Sequence, residues 1–209
     1  AAWVHTVIVP SVRQPWEVYV NAEGERFMPE DEPIIDSRER AIMRQSDWSF
    51  WVIYDEAIRN EAPPLFKWEP EKLEQLFEGF DEDYVRADSL EELATRCKMP
   101  VGTFTNTIDT YNRGQKVGSD MFKRQHLPAP IANGPFYAVR HYGYSITCYP
   151  GIQVDHDLRV TGANGEAIEG LYAAGEAIGI GFLGHSFLSG AIVSSAVTFG
   201  RKLGQTLLA

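Results

Sequence analysis

Three glycines near the carboxyl end of the chain, Gly179, Gly181 and Gly184, have the spacing G-x-G-x-x-G. In a dinucleotide-binding domain this pattern joins a strand to a helix, and a second parallel strand and an acidic residue follow about 20 residues later. Here only residues 185–209 follow, and they are predicted to form one helix. The glycines therefore do not predict a pyrophosphate-binding turn, and they indicate either a flexible loop before a terminal helix or a different kind of site.

Polar groups on either side of these glycines could bind a ligand. Glu176 follows a predicted strand, where its carboxylate can accept hydrogen bonds from sugar hydroxyls; a helix cap or a surface acid is the alternative. Ser189, Gly190 and Ala191 begin the predicted final helix, whose unpaired amide groups and positive dipole end attract negative charge. Gly190 also allows the backbone to approach a ring closely, because it has no side chain.

Four titratable side chains close to this segment in sequence are candidates for proton transfer: Tyr142, Tyr144, Tyr149 and His185. A tyrosine with a lowered pKa can act as an acid or a base, and a histidine titrates near neutral pH. Each has a structural alternative, as a packed aromatic residue with its hydroxyl at the surface or as a structural histidine. The other histidines have no metal-ligand spacing, so no metal site is predicted.

The composition excludes several classes of protein. The chain has 209 residues, 44% of them hydrophobic and 23% charged, which is ordinary for a globular protein. Its net charge of −10 argues against nucleic-acid binding, which needs clustered cations. No apolar run of about 18 residues predicts a membrane span. Cys97 and Cys148 lie far apart and are expected to be buried thiols of a reducing compartment, which predicts a cytoplasmic location.

Hydrophobic patterns and turn residues predict alternating strands and helices. Strands are predicted at 3–9, 16–20, 48–55, 136–142, 144–154 and 170–174. Helices are predicted at 37–46, at 70–79, from Ser89 to Cys97, from Pro100 onward and at 190–207. Ser89 and Glu92 have the spacing of a capping box, and residues 21–24 predict a turn before Arg26. One apolar face is predicted on each of the last two helices, at Val101, Phe104, Ile108 and Tyr111 and at Val193, Val197, Gly200, Leu203 and Leu207. The strand 48–55 has few charges, so we expect it to be buried on both faces. Residues 114–134 have no periodicity and are predicted to be a long connection between two units.

Several segments, in their order along the chain, resemble one flavoprotein family. They are "VYVNAEGERFMPED" (18–31), "WVIYDEAIR" (51–59), "MPVGTFTNTIDTYNRGQKVGSD" (99–120) and "GIQVDHDLRVTGANGEAIEGLYAAGEAIG" (151–179). A glycine-rich loop, "SGA" and a long helix follow. Together they resemble the FAD-dependent fumarate reductase and succinate dehydrogenase flavoprotein family, which also contains 3-ketosteroid dehydrogenases.

The resemblance implies an α+β fold with two parts. A helical or mixed capping domain at 22–134, which covers the substrate, would join the C-terminal strands and helix of an incomplete α/β FAD-binding domain. Residues 1–21 would supply edge strands of that FAD-binding domain, and residues 135–209 its C-terminal part. Nothing in the chain corresponds to the family's N-terminal Rossmann unit. We therefore expect a C-terminal part of a longer flavoprotein, inactive by itself, with the missing N-terminal half as its partner.

The resemblance also implies which residues meet the cofactor, FAD. They are Gly175, Glu176, Ser189, Gly190, Ala191 and Ile192. The start of the final helix would face the pyrimidine side of the flavin, where its amides stabilise the reduced ring. The glycines at 179, 181 and 184 would then allow the backbone to pack closely on the cofactor.

The residues at the family's substrate positions depart from those of the dicarboxylate enzymes. Phe187 stands where fumarate-reducing members have an arginine, and Thr147 stands where they have a histidine. Arg13 alone remains of their Thr-Glu-x-x-Arg run, and Ile35 lies near the position of an arginine in the cap. Arg13, Thr147 and Phe187 are therefore the substrate-binding candidates. A site with so few cations is not expected to bind fumarate or succinate.

The run "HSFLSGAIV" (185–193) is more similar to the steroid-dehydrogenating branch, although Phe187 replaces that branch's tyrosine. One of the three candidate tyrosines could supply the missing hydroxyl. The resemblance implies an FAD-dependent oxidoreductase that dehydrogenates or reduces a C–C bond adjacent to a carbonyl in a rather apolar, ketosteroid-like small molecule. The alternative is a non-catalytic binding or regulatory module on the same scaffold, without its own flavin.

Overall fold

A computed structural model describes residues 10–65, 70–79, 82–143, 150–181 and 190–208. The chain forms two compact units, residues 1–143 and residues 144–209. The predicted strand at 3–9 and positions 144–149 of the predicted strand at 144–154 lie outside the described residues. The described residues form helices and antiparallel strands, as the predicted α+β class requires.

The first unit is built on a four-stranded antiparallel sheet. Its strands are β1 (Val18–Val20), β2 (Ser49–Asp55), β3 (Tyr84–Ala87) and β4 (Phe136–Tyr142). Their order is β1-β2-β4-β3, and Val52 in the middle of β2 pairs with Tyr19 on one side and Val139 on the other. All seven residues of β2 are buried, which confirms the expectation from their few charges.

The described residues of the first unit form five α-helices: α1 (Ile35–Met43), α2 (Glu56–Glu61), α3 (Pro70–Glu78), α4 (Leu90–Arg96) and α5 (Val101–Val117). The predicted cap of α4 is confirmed, because the Ser89 hydroxyl accepts a hydrogen bond from the Glu92 amide at 3.1 Å. Helix α5 begins after Pro100 and continues to Val117. The predicted connection at 114–134 was therefore wrong over its first four positions, because helical hydrogen bonding continues there until Gly118 adopts a left-handed conformation.

The core of the first unit lies between the sheet and these helices. The predicted apolar face of α5 is confirmed at Phe104, Ile108 and Tyr111, which are fully buried. The predicted turn before Arg26 is closed by Gly24, with a φ of 77°. A Cβ atom at Gly24 would lie only 3.1 Å from the Cβ atom of Phe104, so this turn packs directly on α5.

The second unit contains a hairpin, a 3-10 helix and a long helix. Strands β5 (Arg159–Thr161) and β6 (Ala167–Tyr172) are antiparallel, and the 3-10 helix Gly175–Ile178 follows. The strand expected at 170–174 thus begins earlier, and β5 was not predicted because it has only three residues. Among the described residues of this unit the buried apolar side chains are Leu158, Val160, Ala173 and Ile180.

Helix α6 (Ala191–Leu207) confirms the predicted final helix. Its apolar residues lie on one face as expected, but Val193 and Val197 are 68% and 67% exposed. No described residue of α6 is buried. No helix in the described part of the chain is both long and apolar enough to span a membrane.

Candidate flavin site

The residues that the sequence connects with the cofactor lie on two elements of the second unit that pack together. Gly175 begins the 3-10 helix after β6, with a φ of 69°, and the exposed Glu176 follows it. A Cβ atom at Gly175 would lie 3.5 Å from the Cβ atom of Ala196 in α6. The predicted residues Gly175 and Glu176 therefore adjoin the helix that begins with Ala191.

The start of α6 presents backbone amides. Gly190 is its N-cap residue, with a φ of 84°, and has no side chain that could cap the helix. The Gly190 carbonyl accepts hydrogen bonds from the Ser194 amide and the Ser194 hydroxyl, both at 3.0 Å. The amides of Ala191, Ile192 and Val193 have no intrahelical acceptor, and they lie at the positive end of a 17-residue helix. This end of α6 is suited to bind negative charge.

The 3-10 helix also contacts the segment after Pro150. The strand predicted at 144–154 was wrong over its described positions, 150–154, where Val154 forms only an isolated bridge with Val160. The Ile152 amide donates to the Ala177 carbonyl at 2.8 Å. A Cβ atom at Gly151 would lie only 2.0 Å from the Gly179 nitrogen, so only glycine fits at position 151. Gly179, which is buried, therefore packs closely on the backbone of the chain itself. Its predicted packing on the cofactor stays a prediction.

These groups fit the chemistry of a flavin. Unpaired amides can donate to the electron-rich edge of the ring, and the exposed Glu176 carboxylate can accept from hydroxyl groups. Nothing among the described atoms lies within 4 Å of a Cβ atom placed on Gly190, so a ligand could approach the backbone there. The other predicted residues of the site lie outside the described residues: Tyr144, Thr147, Tyr149, His185, Phe187 and Ser189.

Tyr142, the candidate for proton transfer that the structure describes, belongs to the first unit. It lies at the end of β4 and is 49% exposed. Its hydroxyl donates to Asp83 Oδ1 at 2.6 Å, and the Arg140 guanidinium lies over its ring, 5.0 Å from the centroid. The hydroxyl proton is therefore already shared with a carboxylate, which a substrate would have to replace.

Arg13, the substrate-binding candidate that the structure describes, is buried in the first unit. Its Nη1 and Nη2 atoms donate to the two carboxylate oxygens of Glu17 at 2.8 and 2.6 Å. Its Nε atom donates to the Pro63 carbonyl at 2.7 Å. All three nitrogens of the guanidinium are thus engaged within the chain.

A larger buried network of charges was not predicted. Glu30 is fully buried, and its Oε2 atom lies 2.6 Å from Arg26 Nη2 and 3.0 Å from Arg124 Nη1. Arg26 Nη2 also lies 2.7 Å from Asp120 Oδ2. Burial by itself lowers the pKa of Arg26, but the ion pairs with Glu30 and Asp120 outweigh burial and raise the pKa overall. The spacing of four between Arg26 and Glu30 was a signal, but the pairing rule applies to helices and no helix was predicted there.

A second unpredicted cluster joins α2, α3 and β4. The buried Tyr137 hydroxyl donates to Glu56 Oε2 at 2.5 Å and accepts from Arg59 Nη1 at 2.6 Å. Arg59 also donates to Glu74 of α3. Burial, reinforced by the hydrogen bond to Glu56, raises the pKa of Tyr137. The contact between Tyr137 and Glu56 could not be predicted from the sequence, because the two residues are far apart along the chain.

A family model described as "FAD binding domain" matches residues 2–193. The chain belongs to this family. FAD is the cofactor that the membership implies, and the predicted family resemblance is confirmed.

Named relatives of both predicted branches match nearly the whole chain. The probable fumarate reductase Ifc3 of Shewanella frigidimarina is 30% identical over 203 residues, which are 95% of this chain and 32% of that protein. The 3-oxosteroid 1-dehydrogenase of Mycolicibacterium smegmatis is 28% identical over 230 residues, covering 92% of this chain and 40% of that protein. Fumarate-reducing and steroid-oxidising proteins are therefore both relatives of this chain.

A solved structure agrees with the fold. The 3-ketosteroid Δ1-dehydrogenase of Sterolibacterium denitrificans superposes with a TM-score of 0.74 at 23% identity, over 97% of this chain and 42% of that chain. This likeness confirms the mixed fold. The chain spans less than half the length of each of these three proteins.

Proposed function

We propose that this chain works as part of an FAD-dependent oxidoreductase that dehydrogenates or reduces a C–C bond adjacent to a carbonyl group. The observation that carries the proposal is the packing of the Gly175–Glu176 segment against α6, a helix whose first amides have no intrahelical acceptor. The chain that contains this arrangement belongs to the FAD binding domain family. The named relatives act on fumarate and on a 3-oxosteroid, and both compounds contain a carbonyl group. A cytoplasmic location stays a prediction from the cysteines.

Residues of the second unit would hold the cofactor. The amides of Ala191 and Ile192 would donate to the electron-rich edge of the flavin, and Gly190 would leave room for the ring. Glu176 would accept from cofactor hydroxyls. When bound, FAD would supply the hydride acceptor or donor. Ser189 completes the proposed set.

The proposed substrate is rather apolar and ketosteroid-like. The support is in the sequence: Phe187 and Thr147 replace an arginine and a histidine of the dicarboxylate enzymes, so two positions that would bind a carboxylate carry no charge. Tyr144, Tyr149 and His185 stay the candidates for moving the proton, together with Tyr142 once its bond to Asp83 is replaced.

The first experiment is the absorbance spectrum of the purified full-length protein. We expect flavin bands and reduction or oxidation of the flavin by a 3-ketosteroid or a smaller cyclic enone. A full-length protein without flavin would contradict the proposal and favour the alternative of a binding module without a cofactor.

A matched pair of variants tests the position of the cofactor. Glu176→Ala should lower the flavin content of the purified protein at least fivefold, because it removes an acceptor for the cofactor hydroxyls. Glu169→Ala removes a carboxylate of β6 that is also exposed and should leave the flavin content unchanged. Equal flavin in both variants would remove Glu176 from the site.

A further inference from the structure

One face of α6 is apolar and exposed. Its residues are three, four or seven positions apart, which places them in one stripe along the helix: Val193, Val197, Gly200 and Leu207. The three side chains are 68%, 67% and 50% exposed, and no described atom lies within 4 Å of a Cβ atom placed on Gly200. We call these four residues the apolar stripe. Contiguous exposed apolar surface of this kind marks a contact with another protein element.

A second face of α6 is exposed and polar. Its residues have the same helical spacing: Ser194, Thr198, Arg201 and Gln205. A third side of the helix packs on its own unit, where Ala196 lies beside Gly175. The polar face is suited to water, whereas the apolar stripe is left open by the described residues of the unit. The sequence of α6 therefore fits a helix that is covered on one exposed face and solvated on the other.

The whole second unit has the same imbalance. Its described residues bury four apolar side chains: Leu158, Val160, Ala173 and Ile180. They expose seven large ones: Ile152, Ile168, Leu171, Val193, Val197, Leu207 and Leu208. A unit that exposes more large apolar side chains than it buries has an incomplete core, and its two-stranded hairpin is marginal by itself. Another part of a protein is therefore expected to cover some of this surface.

The family membership and the flavin candidates indicate what covers the stripe. This chain covers 32% of the fumarate reductase relative and 40% of the steroid dehydrogenase relative. The flavin candidates lie at Gly175–Glu176 and at the start of α6, but the sequence contains no predicted turn for the pyrophosphate of FAD. A second copy of this chain would not supply that turn. A protein segment that binds the nucleotide end of FAD has to lie near the first turn of α6, where the apolar stripe begins at Val193.

We infer that the apolar stripe of α6 is the surface on which the N-terminal, nucleotide-binding part of a longer FAD protein packs. This inference rests on the proposed function, in which the chain is part of an FAD-dependent oxidoreductase. It adds the contact surface and the chemistry of its partner. The covering surface is apolar, because a charge placed against valine and leucine would be desolvated without a counter-charge. Gly200 lets the covering backbone approach the helix closely, since it has no side chain.

Cysteine labelling of the full-length protein tests the inference. Val197→Cys places a thiol in the apolar stripe, and Gln205→Cys places the control thiol on the polar face; both positions are exposed in this chain. The rate of reaction with N-ethylmaleimide is measured for each folded variant and divided by its rate in urea. We expect the normalised rate of Val197→Cys to be at least about 50-fold lower than that of Gln205→Cys, because a packed contact has to open before the thiol reacts. Normalised rates that agree within about threefold would overturn the inference.

The two native cysteines set the background of this experiment. Burial raises the pKa of Cys97 to about 12, so its thiol reacts slowly at neutral pH. The reaction of the unsubstituted full-length protein, which contains both Cys97 and Cys148, is subtracted. Labelling is repeated at a dilution at which light scattering shows a monomer. Protection of Val197→Cys that persists there supports the inference, whereas protection that is lost would show that a second copy covers the stripe and would overturn it.

A pair of aspartate variants provides a second measurement on the full-length protein. Val197→Asp should lower the midpoint of thermal denaturation or prevent folding, because its carboxylate would be buried in the contact. Gln205→Asp should leave the midpoint unchanged, and equal midpoints in the two variants would overturn the inference. A wild-type protein that lacks flavin but shows the same labelling contrast would contradict the proposed function and not this contact surface, so the two failures are distinct.

Discussion

In the first unit every residue of β2 is buried, whereas in the second unit α6 has no buried residue among those that the structure describes. The first unit combines an apolar core with a buried network of four charged side chains. Among its described residues, the second unit buries few apolar side chains and leaves Val193 and Leu207 of α6 exposed. The same chain thus contains one well-packed unit and one unit with open faces.

The difference bears on where the cofactor residues lie. The described candidates for flavin binding are all in the second unit, on exposed or half-buried positions with free backbone amides. A large ligand needs such accessible backbone groups. The predicted site residues that the structure describes in the first unit are instead paired internally. Arg13 and Tyr142 illustrate this, because both are already paired with a carboxylate.

The largest expected effect follows from Arg124→Met in the first unit. The Arg124 side chain is fully buried and donates to Glu30, to the Glu17 carbonyl and to the His126 carbonyl. Its loss leaves these acceptors unsatisfied and should lower the free energy of unfolding by about 3–5 kcal/mol. Urea denaturation followed by tryptophan fluorescence measures it. The control is Arg201→Met, at an exposed position of α6, which should change the free energy of unfolding by less than about 0.5 kcal/mol. Equal losses of unfolding free energy in the two variants would contradict the difference between the two units.

The same substitution in the two units gives the next largest contrast. Val52 is fully buried in β2, so Val52→Ala should cost about 1.5–3 kcal/mol of unfolding free energy. Val197 is 67% exposed in α6, so Val197→Ala should change it by less than about 0.5 kcal/mol. Thermal denaturation of both variants of this 209-residue chain measures the two changes in stability. A large loss for Val197→Ala would mean that α6 is packed more tightly than the described residues indicate.

Gly151→Ala should act only on the second unit. Its new methyl group would lie 2.0 Å from the Gly179 nitrogen, so the backbone must shift, at a cost of about 1–3 kcal/mol. Hydrogen exchange of the Ile152 amide should become faster, while that of Val52 stays unchanged. Gly200→Ala is the control, since nothing lies within 4 Å of its Cβ position and alanine favours a helix. Unchanged exchange at Ile152 would show that the close approach is not tight.

A pH dependence is also expected of the first unit. The His141 ring stacks on the Phe50 ring, with their centroids 5.4 Å apart. Burial lowers the pKa of His141 to about 4. Because the usual pKa is about 6.5, the unfolded chain binds the proton more tightly than the folded chain. The free energy of unfolding should therefore fall as the pH drops from about 6.5 towards 4. The midpoints of urea denaturation at both ends of this pH range measure the fall in unfolding free energy. His141→Phe should reduce this fall. An equal fall in the variant would exclude His141 as its source.

Several features of the fold could be predicted from short stretches of sequence. The apolar face of α5, the Ser89 cap of α4 and the turn at Gly24 depend on residues within a few positions of one another. Local hydrogen bonds and periodicity are sufficient to specify them. The same holds for the start of α6 at Gly190, so the cofactor candidates were found from sequence, although their contact with a flavin stays a prediction.

What the sequence by itself determined is the family, the order of the elements and the residue types available to a flavin. Only the tertiary structure decided how the charges pair. Arg124 reaches the Glu17 carbonyl, 107 positions away, and no local pattern encodes that contact. Tertiary structure also decided that Glu17 holds Arg13 and that the apolar face of α6 stays exposed among the described residues. The reason is physical: periodicity sets what one segment can bury, but its actual partners depend on which segments the fold brings beside it.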